Sequence, residues 1–242
     1  MGKYKHILFD LDRTLFDFDA AEKYSFFEAF RSEGINGNDE IFTAYKQINR
    51  ELWNMYSNGE VSLDFVHENR FAQLFSLTHI QPNCETWDRS LQKQINYTSL
   101  NRKFSEYLSN CNHLIPGSFA LCKELSACYT LSIVTNGVTA IQKKRISKSS
   151  INDFFSFVFI SEEIGIQKPD IRFFNHVLSI LEIGNPSQVL IIGDSLISDI
   201  KGGNDANIHT CWFNPRNEMN SCGIVPIYEI GCLDDVMDII KS

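Results

Sequence analysis

The strongest chemical signal in this chain is a pair of aspartates two positions apart. Asp10 and Asp12 follow the apolar run Ile7-Leu8-Phe9, which has the composition of a buried strand. At the end of a parallel strand both carboxylates can face one pocket above the sheet, where open α/β folds bind ligands. Two like charges held close together drive their pKa values apart. The pair is therefore suited to holding a cation or to keeping one carboxyl protonated as an acid.

Three further segments of the chain carry polar side chains at a predicted strand or loop end, as the two aspartates do after the first strand. Because the carboxyl ends of parallel strands meet at one edge of a sheet, we expect these side chains to converge on one pocket. The segments are Thr135-Asn136-Gly137 after the run 131–134, Lys168 before Pro169 and Asp170, and Gly193-Asp194 with Asp199 after the run 189–192.

The elements that must position these residues fall into two stretches. Apolar side chains recur at steps of three and four between Ile41 and Met55, and residues 17–111 are typical of helices throughout. Strands and helices alternate beyond Pro116, which predicts a parallel, doubly wound α/β sheet. The expected strands lie near 129–135, 155–160, 188–193, 208–213 and 224–228.

Taken in order, the polar segments resemble the four motifs of the haloacid dehalogenase-like hydrolase superfamily. The matching positions are Asp10, Asp12 and Thr14, then Thr135, then Lys168, then Gly193, Asp194 and Asp199. The sequences Thr-Asn-Gly and Gly-Asp-Ser-Leu-x-Ser-Asp-Ile-x-Gly-Gly further resemble a branch of bacterial phosphatases. That branch includes 5′-nucleotidases that act on pyrimidine deoxynucleotides and on noncanonical nucleotides.

The resemblance implies a Rossmann-like core domain formed by 1–16 and 112–242. It implies a helical cap domain, inserted at 17–111, that closes over the active site. The implied activity is Mg²⁺-dependent hydrolysis of a small phosphorylated metabolite, with a nucleoside 5′-monophosphate as the expected type. The reaction would pass through an aspartyl-phosphate intermediate.

The resemblance also implies the catalytic roles. Asp10 would attack phosphorus, and Asp12 would protonate the leaving oxygen and then activate water. Mg²⁺ would be held by the carboxylates of Asp10 and Asp194 and by the backbone carbonyl of Asp12. Thr135, with the backbone N–H groups of the two residues after it, would hold the phosphoryl oxygens.

The remaining motif positions are expected around these reacting groups. Lys168 would offset the charge of the phosphoryl oxygens and of the nucleophile. Asp199 would orient Lys168 or a metal-bound water, and Ser195 would do the same or cap the following helix. Thr14 has a simpler interpretation, as a cap on the turn after the first strand. Arg13 stands where many family members have glycine, which puts the geometry of that turn in question.

Composition narrows the partners. The apolar fraction of 43% is that of an ordinary soluble protein, and the net charge of −8 argues against a nucleic-acid polymer as a partner. The one basic cluster, Lys143-Lys144-Arg145, is expected on the solvated face of a helix. The seven cysteines show no Cys-x-x-Cys pair, and we find neither a signal-peptide pattern nor a membrane span. We expect a cytoplasmic protein with reduced thiols, monomeric by default, although a dimer is compatible with the sequence.

Some side chains of the helical stretch have two interpretations. The aromatic residues Trp53, Tyr56, Phe65, Phe71 and Phe75 are expected in the core of the inserted domain rather than on a base-stacking surface. Asn49, His67 and Arg70 could extend toward a substrate, although nothing in the sequence establishes that direction.

Three other functions are compatible with the same scaffold. A 2-haloacid dehalogenase uses the first aspartate but needs no leaving-group acid and no Mg²⁺, so Asp12 together with Asp194 favours phosphate. A phosphomutase of the β-phosphoglucomutase type keeps both aspartates and needs a stabilised phosphoenzyme. A non-catalytic binding protein could retain the fold, but every expected chemical group is present.

Overall fold

A computed structural model describes residues 3–77 and 96–241 of the chain. The chain divides into two compact units, one of Met1–Phe18 with Asn112–Ser242 and the other of Asp19–Cys111. We call the first the core unit and the second the helical unit. Six of the seven cysteines are described, all as free thiols, and Cys84 lies outside the described residues.

The core unit is built on a six-stranded sheet in which all paired strands are parallel. The strand order is β3-β2-β1-β4-β5-β6, so the chain winds outward from β1 in one direction and then returns to wind in the other. The predicted doubly wound α/β fold is therefore confirmed. The strands are β1 (His6–Phe9), β2 (Thr130–Thr135), β3 (Phe157–Ile160), β4 (Val189–Gly193), β5 (His209–Phe213) and β6 (Tyr228–Ile230).

Both faces of this sheet are buried, which explains why its strands are continuous apolar runs. Ile7 and Phe9 of β1 belong to one core cluster, and Leu8 between them belongs to another. Val189 and Ile191 of β4 join the cluster of Leu8. The side-chain period of two thus supplies two hydrophobic layers from one sheet.

The helical unit accounts for the apolar periodicity seen before residue 111. Tyr45 is fully buried, and its ring lies 5.2 Å from that of Phe71 and 5.7 Å from that of Phe104. Of the aromatic residues expected in this core, Tyr56, Phe71 and Phe75 are buried, whereas Phe65 is exposed. The helices are α1 (Phe18–Ser32), α2 (Asp39–Ser57), α3 (Leu63–Ser76) and α4 (Tyr97–Leu108).

Short helices connect the strands of the core unit. The π-helical stretch Leu196–Lys201 follows β4 and continues directly into the helix Gly202–Asp205. No helix in the described ranges is both long and apolar enough to cross a membrane. The helices are α5 (Ser118–Ser126), α6 (Thr139–Ser147), α7 (Ser161–Ile164), α8 (Ile171–Ile180), α9 (Gly202–Asp205) and α10 (Val236–Lys241), with 3₁₀ turns at Asn152–Phe154, Pro186–Gln188 and Leu233–Asp235.

The last strand was predicted in the wrong place. The prediction placed it near 224–228, but pairing begins only at Tyr228, opposite Cys211. Pro226 has no N–H to donate to a ladder, and Val225 and Ile227 on either side of it are exposed. The apolar residues around Pro226 thus lie in a loop, although their composition predicted a buried strand.

The order of the strands fixes where a ligand can bind. The winding direction changes between β1 and β4, and ligands of such sheets bind outside the carboxyl ends of the strands at this point. Phe9 is level with Ile192 in the register, and Asp10 N–H donates to the carbonyl of Ile192 at 2.9 Å. Asp10 and Asp194 therefore emerge side by side from neighbouring strands.

Candidate active site

Asp10 is held at the end of β1 by two donors. The ammonium group of Lys168 donates to Oδ1 at 2.8 Å, and the Thr14 hydroxyl donates to Oδ2 at 3.2 Å. Asp10 is 8% exposed, and Thr14 is fully buried. Thr14 therefore contacts the Asp10 carboxylate directly. Its predicted role as a cap on the turn did not include this contact.

Lys168 is a buried cation whose three N–H groups are all engaged. Besides Asp10 it donates to Asp199 Oδ1 at 2.6 Å and to the carbonyl of Val134 at 2.8 Å. The Asn136 side chain holds its backbone in turn. The Lys168 N–H donates to Asn136 Oδ1 at 2.9 Å, and Asn136 Nδ2 donates to the Lys168 carbonyl at 2.8 Å. This contact of Asn136 was not anticipated from the sequence, which assigned a role only to its backbone.

Asp199 lies behind Lys168 and is fully buried. Its second oxygen accepts the backbone N–H of Ser195 at 3.1 Å, while Ser195 Oγ accepts the N–H of Ser198 at 3.1 Å and caps the helical turn. A Cβ on Gly193 would overlap the Asp199 carboxylate, so only glycine allows this approach. Asp199 thus contacts the Lys168 ammonium group through one oxygen and the Ser195 backbone through the other.

Asp10, Asp194 and Asp199 form an acidic cluster at the carboxyl edge of the sheet. One carboxylate oxygen from each lies within 4.8 Å of the others. The carbonyl of Asp194 accepts the indole N–H of Trp212 at 2.9 Å, which fixes the backbone after β4. Oxygen atoms at this spacing match the ligand preference of Mg²⁺.

The electrostatics of the cluster show an excess of negative charge. Burial raises the pKa of Asp10 to about 7, against the opposing effect of Lys168 and with the help of the Asp199 and Asp12 charges. Burial also raises the pKa of Asp194 well above its ordinary value, and Asp10 and Asp199 add to this effect. Burial by itself would lower the pKa of Lys168, but its two carboxylate partners outweigh burial and raise it. The site therefore favours protonation or a bound cation.

Thr135 ends β2 and lies at the start of a tight turn. Its Oγ1 accepts the backbone N–H of Gly137 at 3.2 Å and the side-chain amide of Gln142 at 3.2 Å. Because a hydroxyl has two acceptor positions and one donor, its O–H remains available to donate to an anion.

Asp12 projects toward helix α6 and contacts two side chains that the sequence did not single out. Arg145 Nη1 donates to Oδ1 at 2.5 Å, and Gln142 Nε2 donates to Oδ2 at 2.7 Å. The expectation that the basic cluster 143–145 is solvated is wrong for Arg145, which is 1% exposed. Arg145 lies three residues after Gln142 and four after the buried Ile141, so helical periodicity turns it inward.

Arg13 adopts the backbone conformation that glycine favours. Its φ is 67°, in the left-handed region, where a side chain costs about 1–2 kcal/mol. Its guanidinium lies 4.8 Å from the centre of the Phe18 ring, and its charge lowers the pKa of Asp194 against the effect of burial. Arg13 thus takes a left-handed turn conformation that glycine would take without strain.

Of the three polar residues of the helical unit that could extend toward a substrate, Asn49 and Arg70 are buried inside the unit, whereas His67 is partly exposed. Asn49 Nδ2 donates to Glu22 Oε1 at 2.7 Å, and Arg70 Nε donates to Asn101 Oδ1 at 2.7 Å. In this structure both side chains stabilise the packing of the helices, and neither projects from the unit.

The sequence of this chain matches a known protein family. The profile of the haloacid dehalogenase-like hydrolase family matches residues 7–213. The chain is a haloacid dehalogenase-like hydrolase. The resemblance seen in its motifs is thus confirmed, as is the prediction that it is an enzyme.

Three relatives of this hydrolase are similar over nearly their whole length. The HAD-hydrolase YfnB of Bacillus subtilis is 35% identical over 100% of this chain and 97% of its own. The pyrimidine 5′-nucleotidase PynA of Streptococcus pneumoniae is 33% identical over 97% and 94%, and the pyrimidine 5′-nucleotidase YjjG of Escherichia coli is 29% identical over 97% and 96%. A crystal structure of YfnB bound to magnesium superposes with a TM-score of 0.87 at 34% identity, over 99% of this chain and 100% of that one.

The residues of this hydrolase fit a magnesium ion. The ammonium group of Lys168 contacts two of the three clustered carboxylates, Asp10 and Asp199, and burial together with the neighbouring carboxylate charges raises the pKa of Asp10 and of Asp194. Asp199 is fully buried and bonded to Lys168 and Ser195, whereas Asp10 is 8% exposed and Asp194 is half-buried, so Asp10 and Asp194 are the carboxylates that an entering ion can reach.

Proposed function

We propose that this hydrolase is a Mg²⁺-dependent phosphatase that acts on a small phosphomonoester through an aspartyl-phosphate on Asp10. The observation that carries the proposal is the separation of the two motif aspartates. Asp10 lies against Lys168 in the acidic cluster, whereas Asp12 is held apart by Arg145 and Gln142. Asp10 is thus placed beside Lys168 within the acidic cluster, and Asp12, paired with Arg145 outside that cluster, is available for proton transfer.

In the first step Asp10 attacks phosphorus, and the bond between phosphorus and the leaving oxygen breaks. Asp12 gives its proton to that oxygen, so the product leaves as an alcohol. Thr135 donates a hydrogen bond from its hydroxyl to a phosphoryl oxygen, and the backbone N–H of Asn136 lies at the same turn, whereas the N–H of Gly137 donates to Thr135 Oγ1. The charge of Lys168, in contact with Asp10, offsets the negative charge that gathers there.

In the second step water attacks phosphorus, and the bond to Asp10 breaks. Asp12 takes a proton from this water, which restores both aspartates and releases inorganic phosphate. Asp10, Asp194 and the backbone carbonyl of Asp12 would hold the Mg²⁺, which when bound supplies positive charge at the phosphoryl oxygens. Phosphoryl transfer depends mainly on such positioning and charge neutralisation.

We infer that the substrate class is a pyrimidine nucleoside 5′-monophosphate. The support comes from PynA and YjjG, both pyrimidine 5′-nucleotidases and both similar to this chain over nearly its full length. The helical unit would act as the cap domain, since it is inserted in the chain between β1 and the strands that complete the site. Specificity would then reside in that unit and its loops.

The test is release of inorganic phosphate with Mg²⁺ and with EDTA. The panel holds pyrimidine and purine nucleoside monophosphates, their deoxy forms, sugar phosphates and phosphoglycolate. Asp10→Asn is the blank, and Asp238→Asn, at an exposed position of α10, is the matched control. We expect Mg²⁺-dependent release that is lost in Asp10→Asn and kept in Asp238→Asn, with pyrimidine nucleotides preferred.

Other results of these assays would indicate a different mechanism, activity or substrate class. Release that survives in Asp10→Asn would refute the mechanism. A requirement for a bisphosphate activator would indicate a mutase, and halide release from 2-haloacids would indicate a dehalogenase. Preference for a sugar phosphate would keep the phosphatase and reject the nucleotide class.

A further inference from the structure

Two buried side chains of α6 are used to hold one carboxyl group. We propose that Arg145 and Gln142 form a clamp that aims the Asp12 carboxyl, and that this clamp sets the rate of proton transfer to the leaving oxygen. The inference rests on the proposed function, because it concerns the acid of that reaction. Arg145 and Gln142 act through Asp12 and are therefore positioning residues.

The hydrogen bonds of the clamp leave Gln142 no choice of orientation. Its Oε1 accepts Arg145 Nη1 at 3.0 Å, so its Nε2 must face the other way. The two N–H bonds of that nitrogen go to Asp12 Oδ2 and to Thr135 Oγ1. Gln142 therefore links the proposed acid to the proposed phosphate-binding hydroxyl.

Burial shows that the clamp is a built feature. Arg145 and Gln142 are 1% and 2% exposed, and the Arg145 guanidinium lies 4.8 Å from the centre of the Phe16 ring. A buried guanidinium is strongly disfavoured unless an anion pairs with it, and Asp12 is the carboxylate in contact. Asp12 itself keeps 24% of its side chain exposed, so the end that must meet a substrate is open.

Gly137 provides the space that the clamp needs. A Cβ at this position would overlap the amide nitrogen and the two carbons next to it in the Gln142 side chain. The φ of Gly137 is not in the left-handed region, so a larger residue is excluded by this side chain and not by the backbone. Because Gly137 has no side chain, the Gln142 side chain can occupy this space and reach Asp12.

The arrangement has a chemical consequence. A carboxylate has about four acceptor positions, and the clamp uses one on each oxygen. The remaining position on each oxygen is then fixed in direction, and proton transfer falls steeply when donor and acceptor are misaligned. Loss of the clamp should therefore impair those substrates whose leaving oxygen needs a proton.

The experiment compares two leaving groups. Values of kcat/KM, which report the steps through departure of the leaving group, are measured for uridine monophosphate and for p-nitrophenyl phosphate. The alkoxide of the nucleotide needs a proton to leave, whereas p-nitrophenolate does not. We expect Arg145→Met to lower kcat/KM by about 100-fold for the nucleotide and by less than about 3-fold for the aryl ester.

Further variants separate positioning from folding. Gln142→Leu keeps the ion pair and should give a smaller loss, about 10-fold, with the same selectivity for the nucleotide. In an Asp12→Asn background, which has already lost the carboxylate of the ion pair, Arg145→Met should add nothing. Lys143→Met, at an exposed position of the same helix, is the matched control and should leave both esters unchanged.

The outcomes distinguish this inference from the proposed function. Equal losses on both esters, an undiminished effect in the Asp12→Asn background, or faster turnover in Arg145→Met would overturn the clamp while leaving the phosphatase intact. Absence of phosphate release by the wild-type protein from p-nitrophenyl phosphate and from every phosphomonoester of the panel would overturn both.

Discussion

Replacing the proposed nucleophile should stabilise the metal-free protein. Burial raises the pKa of Asp10 from 3.8 to about 7. The folded protein therefore keeps a proton at this site that the unfolded chain releases. The free energy of unfolding consequently falls as the pH rises from about 4 to about 7.

The magnitude follows from the pKa. A rise from 3.8 to about 7 corresponds to a destabilisation of about 4 kcal/mol once Asp10 is fully ionised. Asp10→Asn keeps the shape of the side chain and removes the charge. We expect the free energy of unfolding of this variant to exceed that of the wild type by up to about 4 kcal/mol at pH 8, and by about 1–2 kcal/mol at pH 5.

The assay is urea unfolding followed by circular dichroism, in EDTA, at both pH values. Asp238→Asn, which removes an exposed carboxylate, should match the wild type at both. Saturating Mg²⁺ should reverse the order, because it binds the folded wild type and loses a ligand in Asp10→Asn. A variant that is less stable than the wild type at pH 8 in EDTA, or a difference that does not change with pH, would refute the reasoning.

Three further substitutions test the surroundings of the acidic cluster. Arg13→Gly should be about 1 kcal/mol more stable than Arg13→Ala in paired urea titrations, because both lose the ring contact and only glycine takes a φ of 67° without strain; equal stabilities would contradict this. Gly193→Ala should displace Asp199 from Lys168 and lower phosphate release by at least about 10-fold, and unchanged kinetics would show that the approach is not needed. Lys168→Met should lower the free energy of unfolding by about 3–5 kcal/mol at pH 8 in EDTA, since two buried carboxylates lose their cation. The loss should be smaller at pH 5, where Asp10 is protonated, and a loss independent of pH would rule out this explanation.

The local pattern of the sequence is enough to locate the strands that carry the site. Apolar runs that end in polar residues place β1, β2 and β4 within about a residue of their observed bounds, because a strand buried on both faces has a nearly continuous apolar sequence. The same rule fails at β6, where an apolar loop around Pro226 imitates a strand. The motif residues could thus be located from the residues that lie next to them in the sequence.

The contacts among these residues could not be found in that way. Lys168 meets Asp10 across 158 positions of the chain, and Arg145 meets Asp12 across 133. No local pattern encodes such pairs, because they depend on the order of the strands in the sheet and on the rotation of α6 about its axis.

Local sequence patterns specify which chemical groups are present and where along the chain they occur. The fold specifies that Lys168 is saturated by buried acceptors, that Asn136 holds its backbone, and that Arg145 is an internal partner of Asp12. The difference arises because composition and spacing report the preference of each residue for water or for the core. The burial of a charge is decided by whether the fold supplies an opposite charge at hydrogen-bonding distance.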